Sequence, residues 1–341
     1  MKAEFANVTS PGMTRGRRVS LAFPVAHSVL SAHAVLTEAD GTFAIAPPST
    51  CQLLRRGFND TYLLQSRDER CIARVYRAQW RTPSDIAYEL ELLLHLAAKG
   101  VSVSTPIATR DGNLLRRLSM PEGTRFLALF TYAKGTPLRW TEEHSFLAGR
   151  LLAAIHAASD GFVSRHERFR LDLEYLMDRP LAAIRPFLRH RPEDWSFLES
   201  LAGKLRIRAE EAVRAGLDCG VCHGDFGGNV NINVAGELRL TAFDFDFCGP
   251  GWRAYDFVPA KRIATGRNNS RIWESFLAGY AERRSLAAAD QEAVALFDGI
   301  NRLWSFGLRV NSVGLRGIET VEHGALDRRL SVLREWRGEH L

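Results

Sequence analysis

No run of apolar residues in this chain is long enough to cross a bilayer. Stretches such as FLALFTY at 126–132 fall far short of the roughly twenty residues a membrane helix needs. The first residues lack the succession of charge, apolar core and small-residue cleavage site that marks a secretory signal, so a cytoplasmic protein is expected, with no membrane partner. Cysteine is sparse and odd in number: Cys51, Cys71, Cys219, Cys222 and Cys248. That argues against a disulfide scaffold and fits a reducing compartment. Cys219 and Cys222 form a C-x-x-C pair, but no second pair exists to complete a structural zinc site. The motif runs straight into His-Gly-Asp instead of opening a helix, so both read as small residues in or near a buried strand. Positive charge is in modest excess, +6 at neutral pH, and Arg is spread along the chain apart from RGRR at 15–18. With no zinc finger, no RNA-binding aromatic motif and no heptad-plus-basic region, nucleic acid is not an expected partner. A surplus of this size does suit a small anionic ligand such as a nucleotide. Internal repeats and low-complexity tracts are lacking, and no G-x-x-x-x-G-K-S/T segment is found, so a P-loop kinase is not expected.

What is present is a soluble, globular composition of 341 residues, 46% hydrophobic and 25% charged, enough for two lobes with separate cores. Residues 1–19 are polar and basic with Pro and Gly, and read as a mobile tail. From about residue 50 the pattern is that of strands: CQLLRRG, then YLLQS, then CIARVY, separated by FNDT and RDER turns. This predicts an antiparallel meander. TPSDIAYELELLLHLAAKG changes to helical period, with Ser84 or Asp85 as cap and Lys99-Gly100 as stop. SVSTPIATRDGNLLRRL predicts two short strands around an Asp111-Gly112-Asn113 hairpin turn, and TRFLALFTYAKGTPL a strongly apolar strand. Beyond 140 the chain is mainly helical, with amphipathic stretches at about 142–159, 180–190, 194–215, 270–284, 289–312 and 321–337. The fold class is therefore α+β, with a β-rich N-terminal lobe over 20–132 that carries one helix. A mainly helical lobe follows over 133–341, interrupted by a β island at 230–247.

The chemistry gathers in that island. CHGDFGGNVN at 222–231 is followed by TAFDFDFCG at 241–249, and acidic and amide groups among β-formers are costly to bury without a partner. NVNINVAGELRLTAFDFD alternates on both sides of Ala235-Gly236 and predicts a hairpin. Antiparallel pairing then brings Asn229 near Asp244, with Asp225 on the adjoining loop. Two oxygen ligands from one hairpin suit Mg²⁺, which keeps waters and is completed by substrate phosphates. On a regular strand Asp246 shares a face with Asp244; Asp256 reads as a loop-fixing hydrogen-bond acceptor, and His156 as a satisfied core residue.

The order HGD…N, then FDFD, resembles the catalytic loop and metal-binding Asp of the superfamily of aminoglycoside phosphotransferases, choline kinases and type II homoserine kinases. That superfamily has a two-lobed protein-kinase-like fold and a stress-response Ser/Thr kinase branch. FNDTYLL, ARVYR, YELELLLHL, ALFTYAKG and GWRAYDF extend the resemblance over about 25–340. It implies an ATP- and Mg²⁺-dependent kinase that phosphorylates a hydroxyl of a small molecule: an amino alcohol, a sugar or an antibiotic-like compound. A Ser/Thr protein kinase and a catalytically inactive nucleotide-binding regulator are the alternatives. By the same resemblance Asp225 orients the acceptor hydroxyl, Asp244 and Asn229 hold metal, and His223 is scaffold. Arg74 stands where the fold often has a phosphate-gripping Lys, with Glu89 as its partner ahead of Glu91. Asn59 lies in the turn over the phosphates, and the backbone of Phe130, Tyr132 and Ala133 meets the adenine. The loop DFGGN is one residue shorter than the family's, which leaves Asn231 as the alternative to Asn229. The last 75 residues hold 10 acidic residues and 11 Arg, which weighs against a polycationic acceptor.

Overall fold

The computed structural model describes residues 23–227, 232–235 and 239–341. The expected tail at 1–19 and both candidate ligands Asn229 and Asn231 lie outside the described residues.

Helix α1 (Ala32–Thr42), which periodicity did not reveal, precedes the predicted meander of β1 (Thr50–Arg56), β2 (Asp60–Gln65) and β3 (Arg70–Tyr76). The next helix, α2 (Pro83–Ala98), is capped two residues before the nearer of the two expected caps, Ser84 and Asp85. Thr82 is the cap, its hydroxyl accepting from Asp85 N–H while the Asp85 carboxylate accepts from Thr82 N–H. Asp85 is thus the reciprocal half of a capping box, and Pro83 at the first helical position needs no N–H partner. Strands β4 (Pro106–Ile107) and β5 (Arg116–Met120) do not form the expected hairpin. Both pair with β6 (Gly123–Thr131), giving the order β1-β2-β3-β6-β4 with β5 also on β6. The 111–113 turn is instead closed locally, with Thr109 and Asn113 side chains both on the Asp111 carboxylate.

Period-two alternation places the sheet between two cores. Tyr62, Leu64, Ala73, Val75, Leu127 and Leu129 pack with Val35, Ala39 and Phe43 of α1. The alternate residues Tyr76, Ala128 and Phe130 join α2 in the large core that continues into the helical half. Arg74 shares this second face with Tyr76, so strand geometry alone turns it toward the junction of the lobes.

After β7 (Thr136–Pro137) come α3 (Glu142–Ala158), α4 (Arg179–Ile184), α5 (Pro192–Arg214), β8 (Cys219–Cys222), β9 (Ile232–Ala235), β10 (Arg239–Ala242) and β11 (Gly249–Trp252). Then follow α6 (Val258–Gly266), α7 (Ser270–Ala281), α8 (Ala288–Val310), α9 (Val313–Arg316) and α10 (His323–His340). Strands β9 and β10 form the predicted hairpin, with Ile232 opposite Ala242. β10 ends at Ala242, however, so Asp244 is not a strand residue. No helix among the described residues is long and apolar enough to cross a membrane.

Candidate active site

Backbone bonds to both neighbours suspend Ala242 between the segments of Ser102 and Ser104 (3.0 and 2.9 Å), which fixes the end of β10 beside the sheet. Two residues on, Asp244 adopts φ 66°, ψ 57°. This left-handed conformation is costly for most L-residues, and Asp and Asn tolerate it best. The Phe245–Phe247 segment turns as a short 3₁₀ helix, and this break in the strand overturns the expectation that Asp244 and Asp246 share a face.

Asp244 instead meets Arg74, whose Nη2 donates to its Oδ1 at 2.9 Å while Nη1 donates to Glu89 Oε1 at 2.8 Å. Tyr76 Oη donates to the other Glu89 oxygen at 3.0 Å, and the Arg74 guanidinium lies 5.1 Å from the Phe130 ring centroid. Burial opposes the Arg74 charge, but Asp244 and Glu89 more than offset it and raise its pKa well above the ordinary value. Burial pushes the Glu89 carboxyl upward against the pull of Arg74. Arg74, Glu89 and Asp244 line a cavity of about 390 Å³ with Leu54, Phe130 and Tyr132. Asn59 is not among its lining residues; its Oδ1 accepts from Arg77 N–H at 3.3 Å, closing the β1–β2 turn onto the end of β3.

The His-Gly-Asp loop is held from beneath. Asp256 accepts from His223 N–H at 2.6 Å and Gly224 N–H at 2.8 Å, and His156 Nε2 donates to the same carboxylate at 3.1 Å. Asp225 N–H donates to His223 Nδ1 (3.3 Å), which leaves the proton on Nε2 to donate to Phe243 O (3.1 Å). Burial holds the His156 and His223 imidazoles below their ordinary pKa, in the neutral form. Gly224 is required: its φ is 83°, and a Cβ there stands 2.3 Å from Phe247 O. The loop thereby fixes half-buried Asp225 at the wall of a second cavity of about 470 Å³, where Tyr255, Arg262, Arg267, Asn301 and Trp304 also appear. One segment, Phe243–Phe247, therefore touches both the first cavity through Asp244 and the Asp225 loop through its backbone carbonyls.

Asp246 does different work. Trp80 Nε1 and Arg81 Nε donate to its carboxylate (2.9 and 3.2 Å), and Arg81 and Arg168 each donate to its carbonyl at 2.7 Å. It is a clamp between the lobes, with its oxygens consumed. Trp80 also stacks on Phe58 of the β1–β2 turn (4.5 Å between centroids), and Phe247 bridges this pair edge-on to Trp304. Sequence reasoning missed Trp80, Arg81, Arg168 and the second-cavity residues Arg262 and Arg267, because isolated Arg and Trp outside a motif carry no spacing signal.

The donor set facing the first cavity fits a hard cation. Asp244 offers a carboxylate that is 37% exposed, no sulfur or imidazole lines the cavity among the described residues, and all-oxygen sites with few protein ligands suit Mg²⁺.

Residues 50–297 match the model of the phosphotransferase enzyme family. A homoserine kinase of Caulobacter sp. is 29% identical over 293 residues, covering 81% of this chain and 86% of its own. The microcompartment-associated aminopropanol kinase has the same fold, with a TM-score of 0.73 at 23% identity over 90% of this chain and 95% of its own. An amicoumacin kinase follows at TM-score 0.70 and 17% identity, covering 89% and 93%. Family and neighbours alike are small-molecule kinases, and this chain, matched over most of its length, belongs to the phosphotransferase enzyme family.

Proposed function

We propose that the chain transfers the γ-phosphoryl group of ATP to a hydroxyl of a small molecule, with Mg²⁺. The observation that carries this reading is the adjacency of the two cavities across Phe243–Phe247, with Asp244 in one and Asp225 in the other. ATP lies in the first, its adenine against the Phe130–Ala133 backbone and its phosphates beside Arg74. Arg74 is held in place by Glu89 and presents a planar, permanently charged group to the phosphates. Asp244 holds the metal, with Asn229 or Asn231 as the second ligand. Bound there, Mg²⁺ neutralises the charge that develops on the phosphates.

The acceptor hydroxyl donates to the Asp225 carboxylate, which aligns its oxygen on the γ-phosphorus. The new O–P bond forms as the bond to ADP breaks, and the hydroxyl proton passes to Asp225. Support for a small acceptor comes from the walls of the second cavity, built by α6 and α8. The amicoumacin kinase, whose structure holds AMP-PNP and Ca²⁺, supports a nucleotide with a divalent cation.

The test is a hydroxyl-acceptor panel with ATP and Mg²⁺, run on wild type and Asp225→Asn. The variant is expected to lose about 10²–10⁴-fold in kcat, the scale of one positioned proton acceptor, with KM for ATP within about threefold. Turnover that survives within tenfold removes Asp225 from this role.

A further inference from the structure

The charged lining of the acceptor cavity points to the kind of molecule it receives, an inference that rests on the phosphotransferase reading above. Four ionisable residues of ordinary charge face it: Asp225, Asp256, Arg262 and Arg267. Asp256 offers nothing to a ligand, since both its oxygens already accept from His223, Gly224 and His156 and its side chain is fully buried. Asp225 is assigned to the acceptor hydroxyl.

The two guanidiniums are differently placed. Arg262 Nε and Nη2 both donate to Asp298 Oδ1 (2.8 and 2.5 Å) and Nη2 also to Asn301 Oδ1 (3.0 Å), while Asn301 Nδ2 donates to Tyr255 Oη (2.6 Å). This chain of bonds fixes the guanidinium plane and leaves Nη1 without a hydrogen-bond partner among the described residues. Asp298 does not cancel the charge, because its second oxygen accepts from Arg302 Nε at 2.8 Å: two guanidiniums share one carboxylate. Arg267 donates Nη1 to the Trp140 carbonyl (2.8 Å) and has no ion-pair partner among the described residues. Nothing else in the described lining is a carboxylate that could receive an ammonium group.

We propose that the acceptor is an anionic hydroxyl compound, its carboxylate or phosphate held by Arg262 Nη1 and Arg267 while its hydroxyl reaches Asp225. Permanently charged, forked donors of this kind suit planar or tetrahedral oxyanions. A polycationic acceptor brought to the same place meets two guanidiniums.

The experiment uses matched acceptors that differ only in the anion: serine, homoserine and threonine against their decarboxylated counterparts, and glycerol phosphate against glycerol. Phosphoryl transfer from ATP is measured with the full chain, wild type and Arg267→Gln, with Arg262→Lys as a second variant. The anionic member of at least one pair is expected to exceed its partner by tenfold or more in kcat/KM. Arg267→Gln is expected to raise KM about tenfold for the member that carries the anion, without raising KM for ATP or for the partner that lacks it. The carboxylate and phosphate arms identify which anion is read. Preference for the decarboxylated or uncharged members overturns the inference and leaves the phosphotransferase reading standing; so does an equal effect of Arg267→Gln on both members of a pair. ATP bound tightly but turned over with no member also overturns it, whereas failure of wild type to bind ATP at all counts against the phosphotransferase reading.

Discussion

Asp244 and Asp246 stand two residues apart, yet the backbone gives them opposite duties. Asp246 has a side chain only 4% exposed, and its removal strands Arg81, itself 5% exposed. An uncompensated buried charge typically costs about 3–5 kcal/mol. Asp246→Ala is therefore expected to lose stability on that scale in urea unfolding at neutral pH. Asp244 is 37% exposed, and Arg74 keeps Glu89 without it. Asn retains the tolerance for left-handed backbone that this position requires. Asp244→Asn should therefore change stability by no more than about 1 kcal/mol, yet cut phosphoryl transfer by about 10²–10³, as loss of one preorganised electrostatic group does. If the unfolding midpoints of the two variants come out alike, this division of labour is wrong. Sequence pattern located both carboxylates but misread their relation, because alternation presumes a strand, and one left-handed residue breaks it. Asp225, Arg74 and Glu89 could be named as candidates beforehand because each sits in a recognisable segment, and the structure places Arg74 on Glu89 and Asp225 at the second cavity; the Arg262 and Arg267 pair could not, because only the packing of α6 against α8 brings them to the cavity.

At the level of elements, the tightest helix contact is between α3 and α7, and glycine makes it possible. A Cβ on Gly149 stands 1.9 Å from Phe276 O, and one on Gly279 stands 1.9 Å from Phe146 O. Helix propensity by itself favours Ala over Gly by about 1 kcal/mol, so the sign of the change is informative. Gly279→Ala must push the helices apart and is expected to lose about 1–3 kcal/mol, the usual cost of overpacking. Gly203 in α5 is exposed and meets nothing within 4 Å; Gly203→Ala there is expected to gain about 0.5–1 kcal/mol. Chemical denaturation of the two variants checks both, and a stabilised Gly279→Ala sinks the close approach. The same contrast explains which elements were readable beforehand. The meander, α2, α3, α5 and α8 carry long periodic stretches, whereas α1 and α6 are short, with apolar residues too few to set a period. The 111–113 turn was found, but not its partners: β4 and β5 both pair with β6, in separate registers along the edge that β3 leaves open, and alternation within short strands does not say which neighbour they take.

For the molecule as a whole, acid sensitivity follows from the two neutral imidazoles at and beneath the His-Gly-Asp loop. His156 and His223 are both fully buried, and burial lowers each below the 6.5 of a free imidazole. Asp256 opposes the shift in both cases, and Asp244 opposes it further for His223, but desolvation is the larger influence. The folded chain therefore stays unprotonated at these sites in a pH range where the unfolded chain takes up protons. Since stability changes with pH in proportion to protons bound unfolded minus protons bound folded, it must fall as pH falls through about 6.5. The slope is at most about 1.4 kcal/mol per pH unit for each histidine. Protonation of His223 has a second effect: its Nδ1 can no longer accept from Asp225 N–H, so the loop loses its internal bond as the fold weakens. Urea midpoints taken at pH 7.5, 6.5 and 5.5 should decline steadily, and His156→Asn, though less stable at pH 7.5, should show the shallower slope. A midpoint that holds constant or rises toward pH 5.5 means that these imidazoles are charged in the folded protein, and the hydrogen-bond directions assigned to His223 then fall with it.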